Sequence, residues 1–231
     1  MRDDGAATMR DQPSLTVTTS SGSVVITGED RPDIVVDGDA TIDDAEDGGI
    51  VVRGSSSSLD VRCPTGTDVR VGTSSGGVKL RGRLGDARVT TSSSTIRVED
   101  VEALELRSSS GSLEVETCVG YCRLQTASGS VTVDDAGDVD ISTKSSSIRV
   151  GRTEGGKVHS VSGSIALGAT GVGDLDVRSI SGSVKVTLPE GVQPRFRLRS
   201  VSGSIRCDCE EGDDGSISIA TTSGSIQVEP D

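Results

Sequence analysis

The residues best equipped for chemistry are two groups of carboxylates. Asp134 and Asp135 with Asp138, and Asp43 and Asp44 with Asp47, set several acids within a few positions of one another. Clustered carboxylate oxygens are what Ca²⁺ takes as ligands. Neither group follows the spacing of a calcium-binding loop, and the glycine-rich nonapeptide calcium repeat is absent. They are read as solvated corners that keep an acidic chain in solution. Paired carboxylates also cleave glycosidic bonds. A sugar-cleaving face usually offers aromatic platforms, whereas this chain has one Tyr, one Phe and no Trp. No enzymatic activity is expected.

The five cysteines, Cys63, Cys118, Cys122, Cys207 and Cys209, are the next candidates. The pairs at 118/122 and 207/209 suggest a zinc site, but they fall on repeats far apart in the chain, beyond the reach of one tetrahedral ion. Cys122 and Cys207 occupy apolar positions and read as small hydrophobes. Cys118 and Cys122 straddle one corner, where pairing is open to them. Five cysteines without a framework spacing favour a reducing compartment. His159 is the single histidine, with no nucleophile at a triad-like position, and reads as a surface residue. No phosphate-binding loop is present. No catalytic, metal or cofactor-binding residue is assigned, and no cofactor is expected.

What positions all of these residues is a repeat. Ser160-Val-Ser-Gly-Ser-Ile-Ala-Leu167 returns as Ser179-Ile-Ser-Gly-Ser-Val-Lys-Val186 and as Ser200-Val-Ser-Gly-Ser-Ile-Arg-Cys207. The first aliphatic after each Ser-rich turn falls at Val24, Ile42, Leu59, Val78, Ile96, Leu113, Val131, Ile148, Ile165, Val184, Ile205 and Ile226, at spacings of 17 to 21 residues. Apolar residues alternate with polar ones around each of them, the period of a strand. A second strand precedes each turn, as in Leu15/Val17, Leu124 and Leu175/Val177. From its last apolar residue to the next turn aliphatic the count is seven in eleven of twelve repeats; Val36 to Ile42 is six. One corner of constant length and an opposite corner that varies is the signature of stacked coils, since each corner must sit on the one below. The chain is therefore expected to be all-β, a single-domain β-solenoid (parallel β-helix) of about twelve coils over residues 14–229, after a flexible polar arm at 1–13.

The composition agrees with a thin aliphatic core. Thirty-six acids against 23 basic residues leave a net charge of −13. Such a balance disfavours nucleic acid and anionic membrane surfaces as partners. An acidic, lysine-poor chain also reads as halophile-like. The longest aliphatic runs are three residues, so no membrane insertion is expected. The first thirteen residues lack an apolar leader segment, and the expected location is cytoplasmic.

The recurrent S-x-S-G-S-[VI]-x-[VI] motif resembles an adhesin-like β-helix family, a widespread bacterial and archaeal domain of unknown function, over about residues 15–228. The resemblance implies a fold and transfers no functional residues. The thin aliphatic core and short polar arm are also similar to bactofilins, cytoplasmic β-helical proteins that polymerise without nucleotide.

Two features stand out for function. Val161, Ile180 and Val201 occupy an outward position that is Ser in most early coils, with His159, Arg178 and Arg199 two residues earlier. Stacked on successive coils, Val161, Ile180, Val201, Arg178 and Arg199 would form a contact strip. The solenoid also lacks capping segments at either end, and bare strand edges invite pairing. The expectation is a structural or scaffold module that self-associates into an oligomer or filament, with a protein partner as a further option. An adhesin-like surface or ligand-binding domain is the alternative.

Overall fold

The computed structural model describes residues 13–45, 48–171 and 173–231. Nearly all of the arm expected at 1–13, and Glu46 and Asp47 of the acidic corner, lie outside the described residues. Pro13 is already tied to the body, its carbonyl accepting the Asp68 backbone N–H at 3.0 Å.

Described residues form strands and turns without a helix. The strands are β1 (Ser14–Thr19), β2 (Val24–Glu29), β3 (Val35–Asp37), β4 (Ala40–Asp44), β5 (Ile50–Gly54), β6 (Leu59–Pro64), β7 (Asp68–Ser75), β8 (Val78–Ser93), β9 (Ile96–Ser110), β10 (Leu113–Ser162), β11 (Ile165–Ala169), β12 (Asp174–Ser181), β13 (Val184–Leu188), β14 (Arg195–Ser202), β15 (Ile205–Cys207), β16 (Ser216–Ser223) and β17 (Ile226–Pro230). In β8, β9 and β10 the strand runs on through the corners, and β10 winds through several coils without a break.

Through the middle of the rod the pairings are parallel and join residues 16 to 19 apart, as in Ala87 with Leu104 and Ile165 with Val184. Each coil therefore lies on the next at about 4.8 Å. Alternate side chains of both strands point inward and meet across the coil. Leu15, Ile26, Leu80, Leu106, Leu124 and Ile141 are all at most 1% exposed. Such a core holds two aliphatic side chains in depth and needs no aromatic.

The corner of constant length is built by hydroxyls and glycines. Thr19, Thr73, Ser108, Thr126 and Ser160 point inward, and each donates to the carbonyl two residues on, at 2.8 to 3.1 Å. This closes a tight Ser/Thr turn. Gly129 follows that turn with φ of 124°, a left-handed conformation open to glycine at little cost. A Cβ there would stand 2.0 Å from the Gly111 carbonyl oxygen of the adjacent coil.

The order of the coils differs from the order of the chain at both ends. β1 lies between β5 and β7, and β2 between β6 and β8. The outermost strands on that side are β3 and β4, which run antiparallel to β6 and β5. The reversal has a local cause. Ala45 and Gly49 close a tight turn, Ala45 N–H to Gly49 C=O at 2.8 Å, with Gly48 at φ 80°. The chain returns as a hairpin and fills the gap between the reversed layer and the first coil. At the other end β16 and β17 lie between β12/β13 and β14/β15. The outermost layer there is 195–207, although the chain continues beyond it. The expectation of coils stacked in sequence order is corrected at these two places. The middle of the rod follows that order.

Candidate functional site

Two kinds of surface depart from the repeating pattern: the side strip and the two end layers.

Val161, Ile180 and Val201 of the side strip are 46%, 55% and 85% exposed, so all three point outward. Arg178 and Arg199 lie on the neighbouring outward column. The strip is not continuous, however. Arg178 pairs in register with Ala220, and Ala220 with Arg199. One column over, Thr222 stands between Ile180 and Val201 in the same way. The stacked triple expected from chain order is corrected to the pair Val161 and Ile180, with Val201 isolated at the end of the rod. The physical reason is the insertion of β16 between β12 and β14. Val161 and Ile180 border a shallow groove of about 840 Å³ whose walls are mostly Ser and Thr, with Arg107, Gln125, Lys144, His159 and Arg178 among them. Arg178 is engaged by Asp176 on its own strand at 2.8 Å.

Several outward carboxylates are matched to arginines on the adjacent coil. Arg97 meets Glu114 at 2.6 Å, Arg152 meets Asp135 at 2.7 Å, and Arg123 meets Asp140 at 2.9 Å. Exposed pairs of this kind contribute about 0–1 kcal/mol each. Asp140 also accepts the Tyr121 hydroxyl at 2.8 Å, and the Arg123 guanidinium lies 5.6 Å from the Tyr121 ring centre. Partial burial pushes the Asp140 carboxyl up, but the Tyr121 and Arg123 hydrogen bonds outweigh it and hold the group below its ordinary value. Burial and the bond to Asp140 push the Tyr121 hydroxyl up. Asp135, of the acidic cluster Asp134, Asp135 and Asp138, is thus engaged as an ion-pair partner. Asp43 is engaged by Arg53. Among the described residues no group of three or more His, Cys, Asp or Glu is placed to hold a metal ion.

The cysteines are all free thiols. Cys63, Cys118 and Cys122 have no exposed surface. The Cys122 thiol is pushed up by its neighbour Cys118 and by burial. Cys207, a small core hydrophobe by the alternation of the sequence, does occupy the inward column, in register with Val228. It is nevertheless exposed, because no described residue lies on the outer side of its layer, and the core reading is corrected there.

The end layers were not legible as such in the sequence. In 195–207, Phe196 and Leu198 are only half-buried and Ile205 is 45% exposed, whereas their equivalents Leu175, Val177 and Val184 are at most 2% exposed. In the reversed layer, Ile42 is 55% exposed. Among the described residues, both ends therefore present an unpaired strand edge with apolar side chains behind it. The one sequence signal for the reversed layer was the short count from Val36 to Ile42. For the far end it was the pair of longest spacings, 21 residues on each side of Ile205.

A family model described as Toastrack DUF4097 matches residues 5–229. Among solved structures, one described as a "putative cell adhesion protein" from Clostridium sporogenes ATCC 15579 is 9% identical, covering 95% of this chain and 93% of that chain with a TM-score of 0.22. No curated protein matches the chain. No helix among the described residues is long and apolar enough to cross a membrane.

Proposed function

This chain belongs to the Toastrack DUF4097 family, a domain of unknown function, and from that premise we propose that it is a non-enzymatic structural or scaffold module, a rod of twelve β-layers that self-associates through its ends. The observation that carries this reading is the layer 195–207, which no described residue covers on its outer side. Its Ile205, Phe196 and Leu198 sit in columns that are sealed everywhere along the middle of the rod. An apolar layer with an unpaired edge gains both hydrogen bonds and buried area when a further layer is added. The non-enzymatic reading is supported by the ion pairs that engage Glu114, Asp135 and Asp140 with arginines of the adjacent coil. The partners are further copies of the chain, or a protein that adds a layer to an end; nucleic acid is disfavoured by the net charge of −13. Sedimentation over a range of protein concentration, combined with negative-stain microscopy, tests the reading. Species that grow with concentration are expected, and a monomer at every concentration overturns it.

The adhesin-like alternative rests on a different observation, the groove beside Val161 and Ile180 with Lys144 and His159 in its wall. It predicts that a glycan or peptide array yields a ligand whose binding is lost in Ile180→Asp while self-association is unchanged. An array without such a ligand removes this second reading.

A further inference from the structure

The two end layers carry opposite charge. Between Ile34 and Ala45 there are four aspartates, Asp37, Asp39, Asp43 and Asp44, and no Lys or Arg; the layer behind engages two of them, Asp37 by Arg62 at 2.7 Å and Asp43 by Arg53. Between Arg195 and Cys207 there are four arginines, Arg195, Arg197, Arg199 and Arg206, and no Asp or Glu. The loop that follows is acidic, and it engages two of the four: Arg195 meets Asp213 at 3.4 Å and Arg206 meets Asp208 at 2.7 Å. Among the described residues, Arg197 and Arg199 have no carboxylate within ion-pair distance.

Register makes the comparison specific. β5, on which β4 lies, shares its columns with β14 through the intervening coils. Val51 pairs with Thr16 at one end of that series and Ser218 with Arg197 at the other. Within the chain, Asp43 stands on Val51 and Ile42 on Val52. A second copy whose β4 is laid against β14 in the same columns sets Asp43 beside Arg197 and Ile42 beside Leu198. On the opposite face, Asp37 stands on Asp60 and Val36 on Val61. Those columns end at Arg206 and Cys207. The same placement therefore sets Asp37 beside Arg206 and Val36 beside Cys207. Two charge pairs and two apolar pairs fall into register in a single operation, and the strands meet antiparallel, as β4 already meets β5.

We propose that the occupant of the 195–207 edge is the reversed 35–44 layer of a second copy, giving a head-to-tail contact. Like ends disfavour one another: β14 laid antiparallel on its own copy sets arginine against arginine, which is destabilising across a strand pair, and two aspartate ends bring together layers that hold four aspartates each and no Lys or Arg. A head-to-tail contact uses two different surfaces and does not close on itself unless the rotation allows it. The product is a polar filament that grows by whole rods. This deepens the self-association proposed above and rests on it.

The experiment is charge reversal by halves, read by sedimentation and microscopy of the full chain at moderate salt. Arg197→Glu alone and Asp43→Arg alone each face like charge at every contact. The concentration at which either assembles is expected to rise by at least about tenfold. In an equimolar mixture, the glutamate introduced by Arg197→Glu meets the arginine introduced by Asp43→Arg. At the next contact the native Arg197 of one variant meets the native Asp43 of the other, so assembly returns as an alternating filament. Both sites are solvent-facing; Asp43→Arg also gives up the ion pair with Arg53, so the fold of each variant is checked by an unchanged β-sheet circular dichroism spectrum and a cooperative thermal transition. Arg206→Glu with Asp37→Arg repeats the test on the opposite face. Failure of both mixtures to restore assembly overturns the inference, as does a closed dimer that Arg197→Glu strengthens. In those cases self-association itself stands. Wild-type protein that remains monomeric overturns both.

Discussion

Ser179 lies in register with Thr221, and Ser200 lies on the far side of Thr221 rather than against Ser179. Three segments that follow one another in the chain are thus stacked first, third, second. Direct neighbours on this face are about 4.8 Å apart and next-but-one layers about 10 Å. Cysteines replacing Arg178 and Ala220 should oxidise to a disulfide, in a background with Cys207 and Cys209 changed to Ser. Cysteines replacing Arg178 and Arg199 should not, because their Cα separation exceeds the roughly 7 Å limit of an unstrained bridge. Mass spectrometry after mild oxidation reads the result, and a 178–199 bridge would restore sequence-order stacking.

Glycine matters at the corner for two independent reasons, and one comparison separates it from glycine elsewhere. Gly129→Ala must place a Cβ at φ 124° and 2.0 Å from the Gly111 carbonyl oxygen. A loss of at least about 2 kcal/mol is expected in urea unfolding. Gly72 has open space where a Cβ would stand, and Gly72→Ala should lie within about 0.5 kcal/mol of wild type.

Core truncation should be costly in the middle of the rod and mild at its end. Leu124 is fully buried, and Leu124→Ala should cost about 3 kcal/mol. Phe196→Ala removes a larger side chain, but one already half in water. In the monomer it should cost about 1 kcal/mol or less. Equal losses at both positions would mean that 195–207 is covered by something within the chain.

Thiol reactivity follows the layers. In native protein Cys207 and Cys209 should react with a chromogenic disulfide reagent, while Cys63, Cys118 and Cys122 react only after unfolding. In assembled protein the reaction of Cys207 should slow, since the head-to-tail contact covers it. A native count above two per chain would contradict the burial of the other three.

The Asp140 cluster gives a pH dependence of known sign. Its carboxyl titrates lower in the folded chain than in the unfolded one, so the unfolded state binds the proton first as pH falls. The contribution to stability is present above the ordinary aspartate range and is lost as pH falls through the depressed folded value. NMR titration of Asp140 should show this depressed midpoint, and Arg123→Leu should raise it. A midpoint that stays put in that variant would leave Arg123 without a part in holding the charge.

Much of this was legible in the sequence because each coil repeats the same local physics. The inward positions Val24, Leu59, Leu113 and Ile226 are buried as the alternation requires, and the Ser-Gly corner is where the constant count placed it. The exceptions were legible as exceptions only. Val36 to Ile42 was one residue short, which marks the layer that runs backwards. The long spacings around Ile205 mark loops that must cross a layer. Neither signal states where the chain goes next. The buried hydroxyl column through Thr19, Thr126 and Ser160 was missed because small polar residues in a Ser-rich turn look alike whichever way they point.

Alternation and period by themselves determined that this chain is all-β, that it winds into parallel coils, and which side chains fill the core, since those depend on contacts that every repeat makes. The order of stacking at the ends was decided only by the tertiary structure. Every coil offers the same hydrogen-bonding edge and the same inward columns, so one coil fits on another almost regardless of which it is. The choice falls to the hairpin at Ala45–Gly49 and to the loops that carry 189–194 and 208–215 past a neighbouring layer. That choice put aspartates on one end and arginines on the other.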